Sequence, residues 1–398
     1  MYRLILWPVL APSFLLGVAM GAMLPVLVLA ALQLGASEAL ASAIVAMMGA
    51  AALLSTVPTG LLIDKIGDRR AMALATGLAV GTIALAIVAL AQPGPWSLTL
   101  FIASAIVRAP VMTAWNLARQ AVVAETVLPH QRGRAMTALG GTMRAGNLVG
   151  PLCGAVLLLR FPLWSVFAFA ALCATLATGL LFVRRLTREF DAATTRSKQS
   201  RTEEELAAGI RWKAVGFVGV AVTTLAIARV SQPIIIALWG VRLGWSEAQI
   251  SFIVAVGAAI ELVCMFPGGF LKDRIGRSPV LALCLAVYGA GFVLVPAFPT
   301  SAGFVVAVVV MAVGNGLGAG INMTIGADLS PARGRARFLS IWAMFTQAGQ
   351  LGGPLAVSGL LVAASLPVAV AAVGVAAIAG AAWTGATASI TRLPAGRR

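Results

Sequence analysis

The sequence predicts an all-α membrane protein: twelve transmembrane helices in two pseudo-symmetric six-helix halves. Three observations carry this. The 398-residue chain is 60% hydrophobic and only 11% charged, where a soluble domain carries about 25% charged residues. Its apolar residues gather in runs of about 20, each long enough to cross a bilayer. A charged stretch, Gly60-Leu-Leu-Ile63-Asp64-Lys65-Ile-Gly67-Asp68-Arg69, returns 209 residues later as Gly269-Phe-Leu-Lys272-Asp273-Arg274-Ile-Gly276-Arg277.

The predicted spans are 4–32, 38–62, 71–91, 97–123, 135–159 and 163–184, then 214–238, 248–271, 279–298, 301–326, 338–364 and 367–390. Apolar residues run all round each segment, which suits a helix in lipid. The ten-residue alternation of a membrane barrel is missing from the sequence. The first segment has one early arginine and no small-residue cleavage site, so it reads as a retained helix rather than a signal peptide. Residues 1–184 form the expected N-terminal bundle and 213–398 the C-terminal bundle. Between them, 185–212 is hydrophilic, with Glu203-Glu204-Glu205 at its middle, and reads as a solvated tether.

The duplication extends past the charged stretch. Leu34-Gly-Ala-Ser37-Glu38-Ala matches Leu243-Gly-Trp-Ser246-Glu247-Ala, with Ser37 and Ser246 placed to cap the following helices. Pro58 matches Pro267. Ala124-Glu125…Pro129…Arg132-Gly-Arg134-Ala matches Ala327-Asp328…Pro331…Arg333-Gly-Arg335-Ala, and Gly146-x-x-x-Gly150-Pro151 matches Gly349-x-x-x-Gly353-Pro354. All the blocks keep one order.

The net charge of +16 raises nucleic acid as a partner, but its placement excludes that. Counted from an inside N-terminus, nearly all Lys and Arg fall in inside loops; the outside loops hold only Arg160 and Arg242. This is the positive-inside pattern, and it puts both termini in the cytoplasm. Trp96, Trp164, Trp239 and Trp245 fall at outer helix ends and Trp212 at an inner one, as interfacial anchors do. Cys153, Cys173, Cys264 and Cys284 lie inside helices without metal spacing and read as packing residues with no disulfide. His130 is the only histidine. No metal cluster, phosphate loop or catalytic constellation stands out, so no enzyme activity, metal or cofactor is expected.

Charges at membrane depth are costly and need a reason. Arg108 falls near the middle of the fourth segment, Arg229 deep in the seventh and Glu261 near the middle of the eighth. Burial and a nearby arginine pull a carboxyl's proton affinity in opposite directions. Glu261 is therefore the candidate proton-coupling group with Arg229 as its partner; the bland alternative is a static ion pair. Arg108, Met112, Trp115 and Arg119 share one helical face. Trp115 either stacks on a ligand or packs between helices, and Arg119 is placed to snorkel to the interface. Asn315 and Asn322 share a face of the tenth segment, and Gln347 and Gln350 lie on the eleventh. They either line a solute pathway or hydrogen-bond between helices.

The repeated stretch resembles the signature of the major facilitator superfamily of secondary transporters, Gly-x-Leu-x-Asp-Arg/Lys-x-Gly-Arg/Lys-Arg/Lys. The second copy follows it through Arg277 and departs at Ser278. The first has Asp68 at a basic position, then Arg69 and Arg70. The resemblance spans essentially the whole chain and implies alternating access around a midplane site. It implies a conformational latch as well. Asp64 faces the start of the eleventh helix near Phe338, Arg69 or Arg70 pairs with Glu125, Asp273 faces the start of the fifth helix, and Arg277 pairs with Asp328. Gly60, Gly67, Gly269 and Gly276 are expected to let the helices end and turn.

Gly146-x-x-x-Gly150-Pro151, followed by Gly154, resembles the fifth-helix signature of the family's proton-coupled drug and metabolite exporters. The expected function is therefore proton-coupled efflux antiport of a small, drug-like organic solute. The alternative is a proton-coupled importer or exchanger of an organic anion, favoured by two membrane-depth arginines against one glutamate. A non-transporting sensor on the same fold is the third reading. The expected partners are a small-molecule substrate, protons and the lipid bilayer. The expected state is a monomer in the cell's inner (plasma) membrane.

Overall fold

Gly67 and Gly276 show how the duplicated stretch is built. In the computed structural model, which describes residues 6–126, 132–182, 210–331 and 335–393, each is the single non-helical residue between two long helices. Their φ values are 84° and 97°, a region that glycine enters without a Cβ penalty. The predicted spans end at 62 and 271, which leaves most of the charged stretch to the turn. Instead Gly60–Ile66 and Gly269–Ile275 remain helical, and the joint is one glycine wide. Gly60 and Gly269 end no helix. Each lies inside its helix, and an added Cβ would meet nothing within 4 Å.

The helices run α1 (Ala11–Gln33), α2 (Glu38–Ile66), α3 (Asp68–Ala91), α4 (Ser97–Thr126), α5 (Arg132–Leu158) and α6 (Trp164–Phe182). Then follow α7 (Trp212–Arg242), α8 (Glu247–Ile275), α9 (Arg277–Ala297), α10 (Ser301–Leu317), α11 (Ile321–Leu329), α12 (Arg335–Ala363), α13 (Leu366–Ala386) and the short α14 (Ala388–Thr391). Ten helical stretches among the described residues are long and apolar enough to cross a membrane. The other two long helices, α5 and α12, have 27 and 29 residues but carry more glycine and polar side chains. The tether 185–212 lies outside the described residues up to its last positions, and α7 begins at Trp212.

The chain divides into two compact units. The first comprises Met1–Ser37, Met47–Arg201 and Ser246–Ala255; the second comprises Glu38–Ala46, Thr202–Trp245 and Val256–Arg398. The start of α2 thus groups with the second unit, where the Ser42 hydroxyl donates to the Pro354 carbonyl at 3.0 Å and the Ser358 hydroxyl to the Ala39 carbonyl at 2.9 Å. The start of α8 is closed by a capping box: the Gln249 N–H donates to Ser246 Oγ at 3.3 Å and the Ser246 N–H to Gln249 Oε1 at 2.8 Å. Two orphan helix-start donors are satisfied reciprocally.

Small residues set the closest helix contacts, as expected where lipid removes the hydrophobic drive between helices. In the first unit, Gly17 and Gly21 of α1 interlock with Gly146 and Gly150 of α5. A Cβ on Gly146 would lie 2.6 Å from the Gly17 carbonyl carbon, and one on Gly150 would lie 2.4 Å from the Val18 oxygen. In the second unit, Gly349 and Gly353 of α12 press on Thr223, Ala226, Ile227 and Val230 of α7. In the repeat register Gly17 and Gly21 become Ala226 and Val230. The first pair therefore meets backbone to backbone, whereas the second meets the Ala226 and Val230 side chains as well as the α7 backbone. Pro151 and Pro354 lie inside their helices one residue beyond these contacts.

One span departs from expectation. The predicted 301–326 helix is two helices, because the chain leaves the helix at Gly318-Ala319-Gly320 and Gly320 takes φ 75°. The fourth segment, its counterpart in the repeat, runs unbroken from Ser97 to Thr126. Among the tryptophans, Trp96, Trp164 and Trp212 are exposed as interfacial anchors would be, but Trp239 is 1% exposed. It is a core residue, covered by the tight packing of α7, with the Arg242 guanidinium 5.4 Å from its ring centre. Trp245 donates from Nε1 to Ser301 Oγ at 3.0 Å and packs on Phe304.

Candidate functional site

In the first unit, the face of α4 predicted from spacing is buried along its whole length. Arg108, Met112, Trp115 and Arg119 are 3%, 8%, 1% and 7% exposed. Arg119 is therefore covered rather than extended into solvent. Arg108 directs Nη1 at Met23 Sδ of α1, 3.6 Å away, a weak acceptor. Among the described residues, its Nε, Trp115 Nε1, and Arg119 Nε and Nη1 have no hydrogen-bond partner. The stripe is rich in donors and poor in acceptors. Buried cationic groups left in this condition are costly, which makes the stripe a candidate for an anionic ligand.

In the second unit, polar groups from α7, α8, α9 and α10 meet around the helix break. Arg229 Nε donates to Asn315 Oδ1 at 2.7 Å, and its Nη2 to the Gly318 carbonyl at 3.0 Å. One bond goes to a side-chain amide and the other to a freed backbone carbonyl. Glu261 is half-buried in the same neighbourhood. Its backbone faces Gly316, where a Cβ would come within 2.8 Å of the Glu261 oxygen. Tyr288 of α9 packs against Gly314 in the same region; its hydroxyl belongs to this polar cluster. That hydroxyl, fully buried, donates to Gln232 Oε1 of α7. Gly314 and Gly318 let α10 approach α9 closely, against the Tyr288 backbone and Cys284 Sγ.

Asn315 and Asn322 do not share a face. The break puts them on α10 and α11 with separate partners, and Asn322 Nδ2 donates to Thr346 Oγ1 of α12 at 2.7 Å. The Asn322 carbonyl accepts from Trp342 Nε1 at 3.0 Å. On α12, Gln347 is half-buried and Gln350 exposed.

Around the second repeated stretch, Arg277 and Asp328 meet: Nε donates to Oδ2 at 3.1 Å. Arg277 Nη1 also donates to the Lys272 carbonyl at 2.8 Å and to Asp273 Oδ1 at 3.3 Å. In the first copy the side chains of Asp64, Arg69 and Glu125 lie outside the described residues, and Arg70 is exposed. The duplicated Gly-Pro motifs of α5 and α12 (Gly146, Gly150, Pro151; Gly349, Gly353, Pro354) mark helix contacts in both units. That shared use makes them packing devices, whatever else they do.

Three features escape sequence reading. Lys272 is 8% exposed and donates from Nζ to the Ala319 carbonyl at 2.5 Å; the register offered a signal, because Ile63 occupies the matching position in the first copy. Tyr288 and Gln232 form a buried pair that spacing alone does not link. Arg144 lies midway along α5 and is half-buried; its central place in a predicted span was the available sign.

A duplicated helical membrane protein with charged groups inside its spans is, as a class, a solute carrier. A family model for the Major Facilitator Superfamily matches residues 10–228 and 215–395, and the chain belongs to that superfamily. It is a multi-pass membrane transporter rather than an enzyme. No match is found among curated proteins. Among solved structures, the fold is similar to a peptide transporter POT in complex with sulfate, with TM-score 0.80, 16% identity and coverage of 99% of this chain and 96% of that one. It is also similar to a POT family transporter in complex with a thioalcohol-conjugated peptide, with TM-score 0.78, 13% identity and coverage of 96% and 95%. A third is a POT family transporter in complex with 5-aminolevulinic acid, with TM-score 0.76, 13% identity and the same coverage.

Proposed function

We propose that the chain moves a small organic anion by alternating access, with Glu261 as the group that carries the coupling proton. The observation that supports an anion is the donor stripe of α4. Among the described residues, Arg108, Trp115 and Arg119 leave four buried nitrogen atoms without acceptors, and a carboxylate, sulfonate or phosphonate would supply them. Two proteins of similar fold are in complex with sulfate and with 5-aminolevulinic acid, which supports the reading. In this reading the carrier works as a monomer in the cell's inner membrane, with both termini cytoplasmic, as the loop charges favour.

Proton-coupled efflux antiport is the second reading. The resemblance of Gly146-x-x-x-Gly150-Pro151 to an exporter signature favours it. The packing role of both copies weakens it, because α12 uses the same motif. Proteoliposomes under an imposed pH gradient decide between the two. Anion flux along the proton flow supports import, and flux against it supports efflux antiport. Flux of lipophilic cations without anions removes the anion reading. A Glu261→Gln variant is expected to keep solute exchange and lose its response to the gradient; full proton dependence in that variant would remove Glu261 from the coupling role.

A further inference from the structure

The interruption of the tenth membrane segment is one-sided. α10 ends at Leu317, α11 begins at Ile321, and α4 has no such break. A helix end turns its carbonyls and the negative end of its dipole outward, and in membrane carriers such half-helix ends hold cations. Here two side-chain cations occupy the end. Arg229 Nη2 is on the Gly318 carbonyl at 3.0 Å and Lys272 Nζ on the Ala319 carbonyl at 2.5 Å.

Lys272 is the informative member. Its repeat twin is Ile63, which is likewise buried at 6% exposure against 8% for Lys272. Burial at this register therefore asks for an apolar side chain, and the half without a break has one. The half with the break has an ammonium instead. The lysine and the interrupted helix occur together, and the ammonium lies on a carbonyl of the interruption rather than in solvent, where a lysine at a helix end ordinarily extends. A Cβ on Gly268, one turn earlier on α8, would fall 2.5 Å from the Leu317 oxygen. That close approach lets α8 deliver Lys272 to the end of α10.

We propose that the Gly318-Ala319 end of α10 is a cation-binding site filled by the chain's own Lys272 ammonium, so that the carrier needs no dissolved alkali ion at its broken helix. This does not depend on which solute is carried.

The test uses the purified full-length chain in nanodiscs at constant ionic strength, with choline, sodium, potassium or methylammonium as the chloride. Thermal unfolding is the readout. Lys272→Ala removes the ammonium and leaves its space. Its midpoint is expected to fall by roughly 2–8 °C in choline, the scale of one lost charge-assisted hydrogen bond, and to recover in a saturable way with methylammonium or sodium. Wild type and Lys272→Arg are expected to ignore the salt. Lys272→Ile, which fills the space as Ile63 does, is expected to have a lowered midpoint in every salt. A salt-insensitive Lys272→Ala, or a Lys272→Ile chain as stable as wild type, would overturn the proposal. If Lys272→Ala cannot be isolated, Lys272→Ile decides the matter by itself.

Discussion

Arg277 and Asp328 form an ion pair, Nε to Oδ2 at 3.1 Å, that ties the joint after α8 to the end of α11. Both side chains are mostly covered, at 18% and 23% exposure, whereas Asp273, the other carboxylate on Arg277, is 78% exposed. The better-covered contact is less screened by water and salt. Asp328→Asn is expected to destabilise the chain by about 1 kcal/mol and Asp273→Asn by less than about half of that. Thermal unfolding at low and high salt checks both. Equal losses would mean that Arg277 does not discriminate between its two partners.

If the repeated joints act as a latch, removing their charges shifts the conformational balance. Cysteine accessibility on either side of the membrane is expected to change in Arg277→Gln, with a partial return in the charge-swapped Arg277→Asp/Asp328→Arg chain. Unchanged accessibility in both would leave the pair a purely static tie.

Arg108 separates stability from function. It is 3% exposed, and its Nε lacks a partner among the described residues. An unpaired buried cation destabilises, so Arg108→Met is expected to leave stability unchanged or raise it by about 1–3 kcal/mol. Anion transport should fall by roughly tenfold or more, the effect of losing a charge-assisted contact to the solute. Arg108→Lys keeps the charge but loses the planar fork, and is expected to recover transport only in part. Paired melting and uptake measurements check this, and a strongly destabilised Arg108→Met would show that the arginine is structural.

The glycines of α5 divide by what surrounds them. Gly146→Ala and Gly150→Ala place a methyl group 2.6 Å and 2.4 Å from the α1 backbone, and overpacking of this kind costs about 1–3 kcal/mol or more. Gly140→Ala and Gly141→Ala meet nothing within 4 Å and are expected to stabilise by about 0.5–1 kcal/mol through helix propensity. Melting of the four single variants tests this directly.

Tyr288 and Gln232 test the polar cluster. Tyr288→Phe leaves the Gln232 amide oxygen without its buried donor, and is expected to cost about 1–3 kcal/mol. Gln232→Leu with Tyr288→Phe removes both partners, and should recover much of that loss in a double-mutant cycle.

Much of the fold was legible because lipid leaves the backbone few options. Every buried N–H and C=O must be satisfied within its own segment, so long apolar runs become helices. The duplicated stretch located the joints at Gly67 and Gly276, and the family resemblance implied the partnership of Arg277 with Asp328. The extent of the turn was not legible: Gly60 and Gly67 are both glycines in a charged stretch, and only the backbone shows that one bends the chain. The face of α4 followed from helical spacing. The absence of acceptors around Arg108 and Arg119 did not, because that depends on which neighbours pack there.

The sequence by itself determined the lipid setting, the helical class and the duplication, since these follow from composition and period along one dimension, and its motifs carried the resemblance to the family. Only the tertiary structure decided that the tenth segment breaks, that Arg229 is held by Asn315 and the Gly318 carbonyl, and that Lys272 lies on the Ala319 carbonyl. Each of these is a contact between segments distant in the chain. Its energy depends on angstrom-scale distances and local burial, which no spacing along the sequence encodes.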